Sequence, residues 1–324
     1  MSDFTPSGKF DIVFLGTGVS TAVPNLAHIL NAGSKPCAVC SDAMHVSGSR
    51  NKRNNVSLAV LFDDNKGKQK CVVVDVGKTM RDACMTQLPK VGVKEVSGII
   101  ITHGHADAIF GLDDVRDLQK SVPVKVSSPS GESITGFRIE SGAIPIFLNQ
   151  DTMDTVSKAF GYLTGTPAFL DEANNILERR VAFLEFNIIE SKSEFNACGL
   201  PVRAFPVWHG GTYVSLGFSF GREGEFVYIS DVKIIPEETL KYLQEIPRIK
   251  VFVIDVLNQS GIFSHMGLDE ALDVIALLKP EMAYFVGMSC SLGLHEEVEA
   301  KLATLAPNTH LAYDGLVLKG FAME

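Results

Sequence analysis

The chain has too little of several things for whole classes of protein. Lys and Arg number 29 against 38 Asp and Glu, a net charge of −9. A surface that grips nucleic-acid phosphates needs a clustered excess of cations, so nucleic acid is not an expected partner, although a local basic pocket for one small phosphate is still allowed. No apolar run approaches the roughly 20 residues that cross a bilayer, and residues 1–9 lack the apolar core of a signal peptide. Cysteine is scarce. Its six positions (37, 40, 71, 84, 198 and 290) are too uneven for a disulfide framework. Cys71 opens an apolar strand and Cys84 falls in a predicted helix, so both are expected as reduced core residues. These absences predict a cytoplasmic protein with no membrane partner; the oligomeric state stays open. There is one tryptophan, with no internal repeat, low-complexity tract or evident linker. What is there is 324 residues, 46% hydrophobic and 21% charged, enough to bury a sizeable core as one domain over 1–324.

The most informative stretch is Gly98-Ile-Ile-Ile-Thr-His-Gly-His-Ala-Asp107. Its three isoleucines form an unbroken apolar run, the pattern of a strand buried on both faces. The run ends at Thr102 and gives way to His103, His105 and Asp107. Side chains two apart in extended chain point the same way, so two imidazoles and a carboxylate can converge on one point. Neutral imidazole and carboxylate together suit Zn, Mn or Fe. The plain alternative is a polar turn that happens to hold two histidines. The apolar strand before it and Gly111-Leu-Asp-Asp-Val-Arg116 after it favour a metal loop.

In chain order, residues 9–15 predict a first strand running into Gly16-Thr-Gly18. Neither Gly-x-Gly-x-x-Gly nor a P-loop lysine follows, so this is a tight turn. Residues 22–55 are a long irregular segment, and so long a loop is functional or pinned. Cys37-Ala-Val-Cys40 supplies a pin only if two further metal ligands exist. Residues 56–62 and 71–76 predict paired strands across a polar hairpin tip. Asp75, at the end of the second, caps the helix that follows or serves the site. Helices are predicted over 79–88, 112–120 and 152–163, and strands over 96–102 and 122–126. The turn-rich chain up to Arg180 makes about 149–182 an insertion, either a cap over the site or a plain surface crossover. His209 ends a strand before two glycines, as a turn residue or a ligand; Trp208 beside it reads as packing. Residues 214–220 and 226–231 are strands. The last quarter alternates strand (250–256), helix (268–278), strand (282–286), helix (296–305) and strand (309–318). His265 stands just before the first of these helices.

His103-Gly-His-Ala-Asp107 resembles the His-x-His-x-Asp-His signature of the metallo-β-lactamase-fold hydrolases. The Gly111–Arg116 continuation resembles the branch containing the phosphoribosyl cyclic phosphate phosphodiesterases. The likeness spans roughly residues 11–300 and implies a four-layer αββα sandwich with a small helical insertion; the residue patterns alone give only the α/β alternation. It implies that Asp75 orients a metal histidine from behind. It implies that His103, His105, His209 and Asp231 hold a first metal ion, and that His265 faces the substrate. A second ion would take Asp107, the bridging Asp231 and two histidines, whose places here are Ala108 and Gly287. Both losses fall on the same ion. One Zn or Mn is therefore expected to bind firmly and a second weakly or not at all, and Ala108→His with Gly287→His is expected to restore the second.

The same resemblance implies a separate structural zinc. The family's long loop after the first strand carries three cysteines, which bind zinc with a final histidine. Cys37 and Cys40 match two of them, His28 stands at the first, and Cys290 replaces the histidine. Three sulfurs and one nitrogen are kept, a closed tetrahedral set.

The function implied is metal-dependent hydrolysis of a small phosphodiester, cyclic ones included, by attack of metal-bound hydroxide. Asp107 would orient the nucleophile, and His265 would protonate the leaving oxygen or bind a phosphate oxygen. Rivals on the same fold are a tRNA 3′-processing endonuclease, disfavoured by net acidity and the lack of a basic arm, and a thioester hydrolase. A rival of another class is a non-catalytic protein that holds a metabolite or partner in a decayed site.

Overall fold

Ile99, Ile100 and Ile101 are all fully buried, but not in one place. Ile100 faces the core between two large sheets, while Ile99 and Ile101 face a second core on the outer side of the first sheet. A strand covered on both faces has no solvent side, which is why the run lacks polar alternation. Burying a side chain of this size contributes about 1.5–3 kcal/mol.

A computed structural model describes residues 8–31, 33, 36–127, 131–165 and 167–323. The signal-peptide reading falls mostly on residues 1–7, outside them. The chain begins with β1 (Lys9–Gly16), α1 (Leu26–Leu30), α2 (Ala38–His45), β2 (Ser57–Asp63), β3 (Gln69–Val74) and α3 (Met80–Gln87). Next come β4 (Gly98–Ile100), α4 (Ala106–Ile109), β5 (Ser121–Ser127), β6 (Ser133–Ile139), β7 (Ile144–Leu148), α5 (Gln150–Ala159) and α6 (Gly161–Thr164). Strands β8 (Phe169–Asp171), β9 (Ile176–Leu177), β10 (Leu184–Ile188), β11 (Glu194–Ala197), β12 (Leu200–Trp208), β13 (Val214–Phe220) and β14 (Phe226–Ile229) follow. The chain closes with α7 (Glu237–Glu245), β15 (Val251–Asp255), α8 (Leu268–Leu278), β16 (Met282–Val286), α9 (His295–Leu305), β17 (Thr309–Leu311) and β18 (Val317–Ala322).

The first sheet has the order β10-β7-β4-β3-β2-β1-β18 and the second β11-β12-β13-β14-β15-β16-β17. Phe14, Val74 and Ile100 from the first meet Phe218, Phe226 and Val253 from the second in the central core. Outside the first sheet, Met80 of α3, Ile109 and Val156 of α5 pack on Val73 and Ile101. Outside the second, Leu243 of α7, Ala271 of α8 and Leu302 of α9 pack on Phe252 and Phe285. The result is the four-layer αββα sandwich. Strands β3 and β4 run parallel, as do β14, β15 and β16. Their carboxyl ends release Asp75, the 103–107 loop, Asp231, Asp255 and Gly287 toward one rim, where open α/β sheets place ligands.

Several elements differ from the sequence reading. The segment 22–55 is not irregular throughout, because α1 and α2 form between its glycines and prolines. Residues 112–118 wind as a 3₁₀ helix, which suits Leu112, Val115 and Leu118 facing the core at three-residue steps. The helix over 152–163 breaks at Phe160 into α5 and α6. The stretch 149–182 also yields β8 and β9, which join β5 and β6 in a third sheet, so it is not helical alone. Its Thr164–Pro167 turn includes Thr166, outside the described residues. The single strand over 309–318 is two, β17 in the second sheet and β18 in the first, divided at Gly315 (φ +92°). No helix among the described residues is long and apolar enough to cross a membrane.

Candidate metal centre

His103, His105 and His209 each offer a ring nitrogen within 4.8 Å of the others. Their neighbours decide which nitrogen is free. Thr102 donates its hydroxyl to Asp75 Oδ2 (2.8 Å) and lies 2.8 Å from His103 Nδ1, which therefore donates to it. His103 Nε2 is buried and has no hydrogen-bond partner. The Ser264 carbonyl, 2.8 Å from His209 Nδ1, fixes that imidazole the same way and leaves its Nε2 as an acceptor, 3.2 Å from His105 Nδ1. Burial holds His103 down to about 3 and lowers His105 and His209, so all three are neutral at neutral pH, the form that ligates. Asp75 thus reaches His103 only through Thr102, whose amide it also holds (2.8 Å), and touches no histidine directly.

Asp231 sits with His209 and His265 in a second group of donors within the same 4.8 Å, rather than with all three histidines at once. Burial opposes its charge, yet His103, His209 and His265 hold it below the ordinary carboxylate range. Asp107 belongs to neither group. Its Oδ1 is buried and unpaired, and burial, then Asp231, raises its pKa. His265 Nδ1 lies 2.7 Å from Asp255 Oδ2 and 3.8 Å from Asp231 Oδ1. Burial works against a charged imidazole there, but Asp255 and Asp231 carry His265 up to about 9. Asp255 escaped the sequence reading. Val251-Phe-Val-Ile-Asp255 has the form of the strands ending at Asp75 and Asp231, an apolar run closed by a carboxylate, and that shared form was the available signal.

Asp255 also overturns the expectation that Gly287→His helps restore a second ion. A Cβ at Gly287 would lie 2.1 Å from Asp255 Oδ1, and its φ of +71° suits glycine. Ala108 is buried, 2% exposed, with its neighbours in the outer core.

Elsewhere, His28, Cys37, Cys40 and Cys290 bring one nitrogen and three sulfurs within 4.8 Å of one another. His28 Nδ1 is 3.5 Å from Cys40 Sγ and 3.4 Å from Cys290 Sγ, and Asn25 donates its amide to Cys40 Sγ (3.3 Å). A tetrahedral zinc with bonds of about 2.3 Å to sulfur sets its ligands roughly 3.5–3.8 Å apart, so the donors fit. The cluster joins α1 and α2 to the chain after β16.

The model of the β-lactamase superfamily domain matches residues 71–288, more than half of the chain, from β3 to just past Gly287. The chain belongs to the β-lactamase superfamily. Within the superfamily it is similar to a solved diphosphatase of the PhnP family, with 25% identity, TM-score 0.71, and 97% of this chain and 98% of the other covered. Zinc-bound PqqB from Methylobacterium extorquens shares the fold, with 16% identity, TM-score 0.64, and coverage of 95% and 99%. The short form of human tRNase Z does too, with 14% identity, TM-score 0.55, and coverage of 95% and 98%. A curated relative from Porphyromonas gingivalis named octanoyltransferase is 23% identical over 312 residues, covering 94% of this chain. The chain spans about half the length of that relative (50%).

Proposed function

We propose that this superfamily member is a metal-dependent hydrolase of a small phosphodiester, cyclic ones included. The observation that carries the reading is the pair of unpartnered buried atoms, His103 Nε2 and Asp107 Oδ1, in the loop that carries His105 and faces His209. Orphaned donors and acceptors of that kind are expensive unless a cation or water completes them. His103, His105, His209 and Asp231 would hold one Zn or Mn firmly. With alanine at 108 and glycine at 287, a second ion would be weak or absent. When bound, the metal supplies Lewis acidity and makes hydroxide available at neutral pH.

The protein's own groups do the rest. Asp107 orients the attacking water through its free oxygen. Asp255 positions His265, whose raised pKa keeps a proton ready for the leaving oxygen or for a phosphate oxygen. Helix α5 lies against the metal loop, since a Cβ on Gly104 would meet Thr155 at 3.0–3.2 Å; this supports reading 149–182 as a wall or cap of the site. The His28, Cys37, Cys40 and Cys290 cluster would hold a structural zinc.

The test is metal content and hydrolysis of bis(p-nitrophenyl) phosphate. His103→Ala, His105→Ala and Asp231→Asn are each expected to lose the active-site metal and at least about a hundredfold in rate, while the fold persists. Full activity in any of them sinks the assignment. A second reading, thioester hydrolysis on the same fold, takes only its test acyl group from the octanoyltransferase name of the curated relative, of which this chain spans half. Turnover of an octanoyl thioester in preference to the phosphodiester would establish it instead. Metal binding with turnover of neither would mark a binding protein.

A further inference from the structure

The geometry points to an aromatic-binding slot at the mouth of the metal centre, walled by Phe263 and Tyr213, so that the ester hydrolysed carries a flat aromatic group. This rests on the hydrolase reading above and adds the class of substrate to it.

Phe263 is 77% exposed, a phenylalanine ring left in water. It is not loose. A Cβ on Gly210 would come 3.1 Å from its Cε1, and one on Gly211 3.4 Å from its Cζ. Two consecutive glycines therefore run beside the Cδ1–Cε1–Cζ side of the ring, where larger residues would crowd it, and most of the ring stays in solvent. Both have positive φ (+88° and +56°), a turn that other residues adopt with strain. The ring is also tied to the site. Ser264, next in sequence, holds His209, and Ile262 donates its amide to the carbonyl of His265 (3.0 Å).

Tyr213 stands at the other end of the same turn, its amide donating to Gly210 (3.0 Å). Its ring is stacked on His105, with centroids 4.6 Å apart and planes at 4°, and its hydroxyl accepts from the Gly104 amide (3.1 Å). Pinned at both ends, it is a rigid flat wall. Trp208 beside His209, Ile234 bridged to Trp208, and Ile262 beside Phe263 are each between 40% and 49% exposed. Single exposed apolar residues are ordinary, but five on the segments that carry His209, Asp231 and His265 match the apolar share of a usual ligand-site lining. A planar group continues the Tyr213–His105 stack face to face, whereas an alkyl chain gains only contact area.

The slot is tested by binding phenyl-, methyl- and octylphosphonate to the metal-loaded protein by calorimetry, with fluorescence of the single tryptophan, Trp208, as a second signal. Phenylphosphonate is expected to bind about tenfold more tightly than methylphosphonate and at least as tightly as octylphosphonate. Phe263→Ala and Phe263→Leu should each cut the preference to about twofold, and Phe263→Trp should keep it, all three retaining metal. Absent binding of phenylphosphonate, equal affinities, octylphosphonate binding tightest, or a preference that survives Phe263→Ala each overturns the slot. None of these readouts requires turnover. Failure of the phosphodiesterase reading would appear separately, as no hydrolysis of bis(p-nitrophenyl) phosphate.

Discussion

Gly287 is where one missing side chain has the largest consequence. Any Cβ there collides with Asp255 Oδ1, and an L-residue at φ +71° costs about 1–2 kcal/mol before that clash is counted. Gly287→His, alone or with Ala108→His, is therefore expected to displace Asp255 and loosen His265 rather than complete a second metal site. Elemental analysis should show no gain in metal per chain, and the melting temperature should fall by several degrees. A rise to two ions at unchanged stability would refute this. The same position shows the reach of sequence. That a ligand was missing at 287 was legible, because a motif position holds glycine. That Asp255 occupies the vacated volume was not, because it depends on how β15 and β16 pair. Thr102 was hidden for a similar reason: its hydroxyl relays Asp75 to His103, a contact between the ends of two adjacent strands.

Among elements, the short helices α1 and α2 depend on something outside themselves. Isolated helices of 5 and 8 residues are far below the length that is stable alone. Their own small core is Val23, Val39, Cys40 and Ala43, with Cys290 packed against it. Cys290→Ser is expected to release one zinc and lower the melting temperature, while the active-site metal stays bound. Measured zinc stoichiometry before and after the change decides it; loss of the active-site metal instead would assign Cys290 to the wrong site. Sequence showed the strands best where apolar runs were long, as in β2, β3 and β15. It showed least where polar residues dominate. Helix α7 and strand β6 are largely polar, and β8 and β9 span only three and two residues, so tertiary pairing gives them shape. The four cluster residues were legible only through family resemblance, since 250 residues separate Cys40 from Cys290.

For the whole molecule, Asp314 holds distant segments together. It accepts from Thr17 Oγ1 (2.8 Å) and from the Asn54 amide (2.7 Å). Burial pushes its carboxyl from 3.8 up to about 7, against the pull of those hydrogen bonds and of Arg53. Because the folded value is the higher one, its contribution to stability is full below about pH 4 and is lost as pH rises through about 7. Melting temperature should therefore fall from pH 5 to pH 8, and Asp314→Asn should flatten that slope; parallel slopes would contradict it. A different whole-chain consequence follows from β18. Lys9 pairs with Ala322 and Phe10 with Phe321, whose ring also lies 5.2 Å from Phe226 of the second sheet. Strand β1 thus waits for a partner that is synthesised about 300 residues later. A nascent chain halted after Leu311 would already carry every side chain of the metal centre. It would still present the bare edge of β1 and an open central core, the state most prone to pairing with another chain.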